Sequence, residues 1–244
     1  MKNLVSVLAG ASALALMAAA PASATLQIAF TDGTSVVTCA DGQACDLAGP
    51  ANNIIILNET VGAFHIIGTV AASTFGSPDS LQLSTSLIQN TGDTSGNLAI
   101  IVGDTNFIGP VDAVRESASL TFNNASGSGP STLRFFGDPN NGQPAGVGLA
   151  IPGVQLFTTS GSPVTDPDSF SGTHVSPFSA EGPFSMTETA NLALKAGGSI
   201  TGFNASMQTS SVVPEPATWA MLGLGFGGLA LAGWRRNKTA RFAV

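Results

Sequence analysis

His65 and His174 are the only histidines in the chain, so they mark the positions where proton-transfer chemistry would centre. His65 lies inside the apolar run 63-AFHIIGTVA-71, where a core or sheet-face role fits better than catalysis. His174 sits beside Thr173 with no acidic partner or nucleophile at a recognisable spacing. The sequence contains no G-x-S-x-G elbow, H-E-x-x-H pair, phosphate-binding glycine loop or S-x-x-K motif. So few base and nucleophile combinations lead to the expectation of a non-enzyme.

Three short segments place oxygen ligands two residues apart, as calcium sites do: Asp104-Thr-Asn106, Asp138-Pro-Asn140-Asn141-Gly142 and Asp166-Pro-Asp168. None continues to the bidentate Glu of an EF-hand loop, and Asp/Asn/Gly clusters are ordinary turn chemistry. The expectation is turns, with no metal and no cofactor. A secreted hydrolase acting on glycans through carboxylates of these loops is the enzymatic alternative, since the separation of paired acids is a three-dimensional matter. The absence of Trp and Tyr between residues 25 and 211 argues against an extended sugar cleft built on stacked rings. Cys39 and Cys45 flank the turn 40-ADGQA-44, and in an oxidising compartment this pair reads as a small disulfide loop.

The elements that must position these groups are short strands. The runs 26-LQIAF-30, 53-NIIILN-58, 63-AFHIIGTVA-71 and 97-NLAIIVG-103 are rich in β-branched or aromatic residues and too short for stable helices. Alternation puts Leu81, Leu83, Thr85 and Leu87 on one face, and likewise Ala118, Leu120 and Phe122. Asp32-Gly33, Asp41-Gly42, Gly92-Asp93 and Asn141-Gly142 supply turns. The expectation is an all-β, antiparallel β-sandwich-like body with irregular Gly/Pro/Ser loops. Within it, 184-FSMTETANLALKA-196 reads as a strand, bent near Glu188 and paired through Gly197-Gly198 with 199-SITGFNASM-207. The stretch from Ser126 to Ser179, rich in Gly, Pro, Ser and Asp with brief apolar pieces at 132-TLRFF-136 and 147-VGLAIPGVQLF-157, reads as long irregular loops, particularly 158-TTSGSPVTDPDSFSGTHVSP-177.

Both ends carry address-like patterns. Lys2 precedes an apolar run from Leu4 to Ala20, then Pro21 and the small residues Ala22-Ser23-Ala24, so 1–24 reads as a signal-peptide helix cleaved before Thr25. Residues 25–211 form the exported β-rich domain. It holds three cationic residues, Arg115, Arg134 and Lys195, against fourteen acidic ones, a formal net charge of −11. Such a surface excludes nucleic acid and anionic headgroups as partners.

Near the other end, Trp219 to Trp234 is an apolar run of sixteen residues, roughly 24 Å long as a helix. It is short for a transmembrane helix (219–234), with Trp at each interface and Arg235, Arg236 and Lys238 keeping the tail at 239–244 cytoplasmic. Pro214-Glu215-Pro216 just before it is stiff and extended, suited to recognition by another protein. This order resembles the PEP-CTERM sorting signal (212–238) in its PEPxxWA variant, carried by Pro214, Glu215, Pro216, Trp219, Ala220, Met221, Arg235 and Arg236. Tails of this kind are also catalogued as an ice-binding-protein C-terminal domain.

The resemblance implies signal peptidase, the Sec translocon and a membrane-embedded exosortase as partners, and the membrane itself before processing. It implies export across the inner membrane, transient anchoring there, and a final place at the cell surface or outside the cell. The expected role is structural or adhesive in an exopolysaccharide or biofilm matrix, with extracellular polysaccharide as a candidate partner. A surface- or ice-binding module, which calls for a regular Thr/Ser/Asn face, is the third reading.

Overall fold

The computed structural model describes residues 26–50, 52–76, 78–143 and 150–210, together with Leu224 and Phe226. The expected signal peptide, the cleavage residues Ala22, Ala24 and Thr25, and the sorting-motif residues all lie outside the described residues. Among the described residues, no helix is long and apolar enough to cross a membrane.

Twelve strands make up the described body: β1 (Gln27–Thr31), β2 (Val36–Ala40), β3 (Ile54–Val61), β4 (Phe64–Thr74), β5 (Ser80–Asn90), β6 (Gly96–Phe107), β7 (Val111–Asn123), β8 (Ser131–Asp138), β9 (Val154–Gly161), β10 (Asp168–Ala180), β11 (Phe184–Leu194) and β12 (Ser199–Ser210). They form two six-stranded sheets, β2-β1-β6-β11-β8-β9 and β10-β7-β12-β5-β4-β3, antiparallel throughout. Period-2 patterning explains the layering, because alternate residues of a strand face opposite sides of the sheet. In β7, Val114, Ala118, Leu120 and Phe122 point inward, while Ser117, Ser119 and Thr121 point out. The core joins residues of both sheets, including Phe30, Phe107, Phe135 and Phe184 from one and Phe64, Phe122 and Phe203 from the other. Burying such a side chain fully stabilises the fold by about 1.5–3 kcal/mol.

The all-β antiparallel sandwich expected from the sequence is therefore present, with three corrections. The segment 184–194 is a strand, but β11 and β12 lie in opposite sheets rather than in one hairpin. Gly197-Gly198 carries the chain between layers, and the irregularity of β11 falls between Phe184 and Met186, not at Glu188. The stretch 158–177 is mostly strand: it completes β9 and forms most of β10. Both are sheet edges, which tolerate the Gly and Pro that disguised them. Finally, Leu87 leaves the inward face, which continues at Ile88 and Asn90.

The open sides of the sandwich are closed by different devices. On one side the Cys39–Cys45 disulfide constrains the loop after β2. From that loop Asp46 Oδ1 accepts the N–H of Ile56 at 3.0 Å, and Leu47 N–H donates to the Ile56 carbonyl at 2.8 Å. On the other side, β9 and β10 meet through side chains, with no backbone ladder between them. Ser176 Oγ donates to the Leu156 carbonyl at 3.1 Å, and the His174 ring stacks on Phe157 with centroids 4.9 Å apart.

Candidate functional site

Two of the calcium-like segments are turn chemistry, Asp138 to Gly142 after β8 and Asp166-Pro-Asp168 at the start of β10; Asp104-Thr-Asn106 departs from the expected turns, because it lies within β6. Asp138 accepts the N–H groups of Asn140 (2.9 Å) and Gly142 (2.8 Å), and Asp166 accepts that of Ala125 (2.7 Å). Asp168 accepts Val164 N–H at 2.8 Å and Ser169 N–H at 2.9 Å. Bonds from backbone donors hold the Asp168 carboxyl below its ordinary pKa, the Val164 N–H being the largest contribution. Asp104 points inward and bridges the sheets, accepting the Ser73 hydroxyl at 2.5 Å and its neighbour Thr105 N–H at 2.7 Å. Burial pushes its pKa up, against the pull of those two donors. Asn141 Oδ1 accepts the backbone N–H of Asn106 and Asn141 Nδ2 donates to Asn106 Oδ1, tying two of the three segments together. Among the described residues, no three His, Cys, Asp or Glu side chains are placed to hold a metal ion.

The histidines separate. His65 is exposed on the outer face of its sheet, a sheet-face position as expected. His174 has the acidic neighbour that sequence spacing did not reveal: it stands directly across from Glu116 on β7. Both carboxylate oxygens of Glu116 are buried without a hydrogen bond. Burial raises its pKa, opposed by the nearby Ser176 hydroxyl and by attraction to His174. Ser176, His174 and Glu116 thus gather three residue types of an acyl-transfer enzyme. Their arrangement does not serve that chemistry, because Ser176 is 2 % exposed and its hydroxyl is committed to the Leu156 carbonyl. The His174 ring is stacked flat on Phe157, which in turn stacks on Phe135.

On the other side of the same strands lies a surface of different character. Strand register sets Ser171 beside Ser119, and Thr173 beside Ser117 beside Ser206. Ser117 and Ser206 share a hydroxyl–hydroxyl bond of 2.7 Å, and Asn123 Nδ2 donates to Thr201 Oγ1 at 2.9 Å. A depression of about 370 Å³ opens here, lined by Ser117, Ala118, Ser119, Ser171, Gly172, Thr173 and Asn204. It contains no titratable group. Its hydroxyl and amide groups can donate and accept hydrogen bonds at any physiological pH, but they cannot move protons for a reaction.

Fold and site together define a two-sheet antiparallel sandwich with a hydroxyl-lined depression on one outer face whose lining carries no charge. The chain also carries the PEP-CTERM protein-sorting motif, matched over residues 212–237. That motif implies processing by an exosortase, export and sorting to the cell surface. No curated protein matches the chain. Among solved structures, TmCBM61 in complex with β-1,4-galactotriose is similar at 7% identity and TM-score 0.33, covering 64% of this chain and 88% of that one. A carbohydrate-binding module from the lichenase 5A of Cellvibrio mixtus, in complex with cellotriose, matches at 14% and 0.23, covering 60% and 89%. The adhesin domain of Lys-gingipain matches at 11% and 0.24, covering 76% and 98%. Likenesses this remote assign no function to the chain.

Proposed function

We propose that this is a non-enzymatic matrix or cell-surface protein whose sandwich makes weak, multiple contacts with neutral extracellular polysaccharide. On this reading residues 1–24 direct export, 25–211 form the working domain, and the helix at 219–234 anchors it until exosortase acts near Pro214. The observation that carries the reading is the depression over β7, β10 and β12, where hydroxyl and amide groups converge without any charge. Such groups match the hydroxyls of a sugar chain, each direct bond adding about 0.5–1.5 kcal/mol net. Without aromatic stacking, a few such bonds give a dissociation constant on the order of millimolar. Weak single contacts suit a matrix, where many copies on one polymer multiply into avidity. The acidic body selects against polyanionic glycans.

Affinity electrophoresis of the purified protein through gels containing neutral glucans or galactans tests this. Retardation by neutral polymers, absent with polyanionic ones, is expected. Turnover of a glycan or ester panel, abolished by one point mutation, would instead establish the hydrolase reading.

The hydroxyl rows also favour a second reading, an ice- or surface-binding module, because Ser, Thr and Asn recur at strand spacing across β10, β7 and β12. Thermal hysteresis measured on the same preparation decides it.

A further inference from the structure

We propose that the β9–β10 seam is a pH-operated opening in the sandwich, held shut while Glu116 is protonated and released when it ionises. Four observations place the device. First, β9 and β10 are the terminal strands of opposite sheets, and no ladder bonds join them. Second, what closes the seam is a row of separable contacts: the Phe157–His174 stack, the Ser176–Leu156 bond, Gly161 under the Phe170 ring and Gly172 under Thr159. Third, Glu116 is 0% exposed immediately behind this row, with neither carboxylate oxygen hydrogen-bonded. Fourth, the residue directly across from it is His174, on the outermost strand and exposed to solvent.

The groups facing Glu116 make ionisation costly while the seam is closed. On its own strand, Arg115 points to the outer surface. β12 contributes Met207 at the adjoining register position and has no titratable side chain; β9 has none either. From the opposite sheet, the inward-facing acid of β11 is Glu188, itself buried and unpartnered, so it offers no positive charge. On β8, Arg134 is exposed on the outer face and Asp138 is bonded to its own turn. The side chains that favour a charge on Glu116 are the Ser176 hydroxyl, engaged by the Leu156 carbonyl, and His174, held flat against Phe157; both belong to the seam itself.

When Glu116 gives its proton to solvent, the remaining carboxylate needs water or a cation, because an isolated buried charge is strongly disfavoured. The least costly route for water runs through the seam, where opening breaks no ladder bond. His174 then leaves Phe157, and β10 separates from β9. Ser171 and Thr173 lie on the same strand, so opening also dismantles the hydroxyl-lined depression. That consequence rests on the proposed glycan contact, whereas the seam is tested without any glycan.

The experiment is hydrogen–deuterium exchange on the full chain in detergent micelles, from about pH 5 to about pH 8, with each amide corrected for its intrinsic rate. Protection in β9 and β10 should fall as pH rises, by about tenfold per unit through the Glu116 transition. Protection in β5 and in the Ser80-to-Gln89-paired part of β12 should hold. Glu116→Gln should abolish the pH response of the seam, and Glu188→Gln should leave it in place. If Glu116→Gln does not fold, His174→Phe decides: it keeps the stack and removes the attraction that His174 exerts on the Glu116 carboxylate, so the opening midpoint must move to higher pH. An unchanged midpoint, a surviving response in Glu116→Gln, or loss of protection in β5 together with β10 overturns the proposal.

Discussion

Asp46 accepts the backbone N–H of Ile56 across the open side of the sandwich, and the Cys39–Cys45 disulfide holds the loop from which it does so. Burial alone would raise the Asp46 pKa. Donors on Ile56, Ala48 and Gly42, together with Asp41, outweigh that and hold it below the ordinary value. The disulfide loop therefore acts as a strap from β2 to the free edge of β3, where an unpaired strand would otherwise invite association.

Removing the strap should weaken the whole sandwich. Replacing both Cys39 and Cys45 by Ala releases a short loop, which costs about 2 kcal/mol in the chain-entropy account. Asp46→Ala leaves three N–H groups without their acceptor and should cost about 1–3 kcal/mol. Denaturant midpoints of the three proteins check both values. If the two-Cys variant matches the parent, the loop is decoration.

Glu188 makes the fold prefer acid. It is 2% exposed, unpartnered, and burial pushes its pKa well above the ordinary carboxylate value. The folded chain thus keeps a proton that the unfolded chain releases. Stability from this group is complete below the unfolded value and drains away as pH rises toward the folded one. Asp46 acts oppositely, since its lowered pKa costs stability only as pH falls below the ordinary range. Melting temperature should therefore peak in mildly acidic solution. Glu188→Gln should make the alkaline side of that peak shallower, the remaining slope coming from Asp104 and Glu116, whose pKa values burial also raises, and Glu188→Leu should raise stability at neutral pH by about 1–3 kcal/mol. A melting temperature that climbs steadily from mild acid to neutrality in the parent protein would contradict this.

The strands were legible where alternation was clean. In β7 the inward Ala118, Leu120 and Phe122 and the outward Ser119 and Thr121 follow from period 2 alone. Sheet membership was not legible. Gly197-Gly198 looks like a hairpin turn, and nothing local says that Leu194 and Ser199 belong to different layers. β10 was hidden because its inward row, Phe170, Gly172, His174 and Ser176, is too polar to register as a core face. An edge strand buries little on that row, so selection for apolar residues is weak there. The Glu116–His174 pair was out of reach for the same reason, since register between two strands 58 positions apart is set only by the fold.

Thr173 and Asn204 line the depression with exposed side chains, so truncating them should alter binding without harming the fold. Thr173→Ala and Asn204→Ala should each weaken retardation by a neutral glycan by about 0.5–1.5 kcal/mol, or roughly two- to tenfold. Ser171→Trp should block the depression altogether. Unchanged melting temperatures would show that the loss is local. Equal retardation of all three variants and the parent would remove this face from consideration.

The seam depends on two residues having no side chain. A Cβ on Gly161 would lie 2.8 Å from the Phe170 ring, closer than carbon atoms approach, and a Cβ on Gly172 would lie 3.1 Å from Thr159 Oγ1. Gly161→Val must therefore push β9 away from β10 at one end of the row. Overpacking of this kind typically costs about 1–3 kcal/mol. Because no ladder bonds cross the seam, the damage should stay within it. Exchange protection is expected to fall in β9 and β10 and persist in β5, β6 and β11. Gly33→Val, at a turn with open space around it, controls for backbone strain: its φ of +92° disfavours a branched side chain, but it touches no seam residue. If both substitutions loosen the same amides, close packing at Gly161 is not what keeps the two sheets shut.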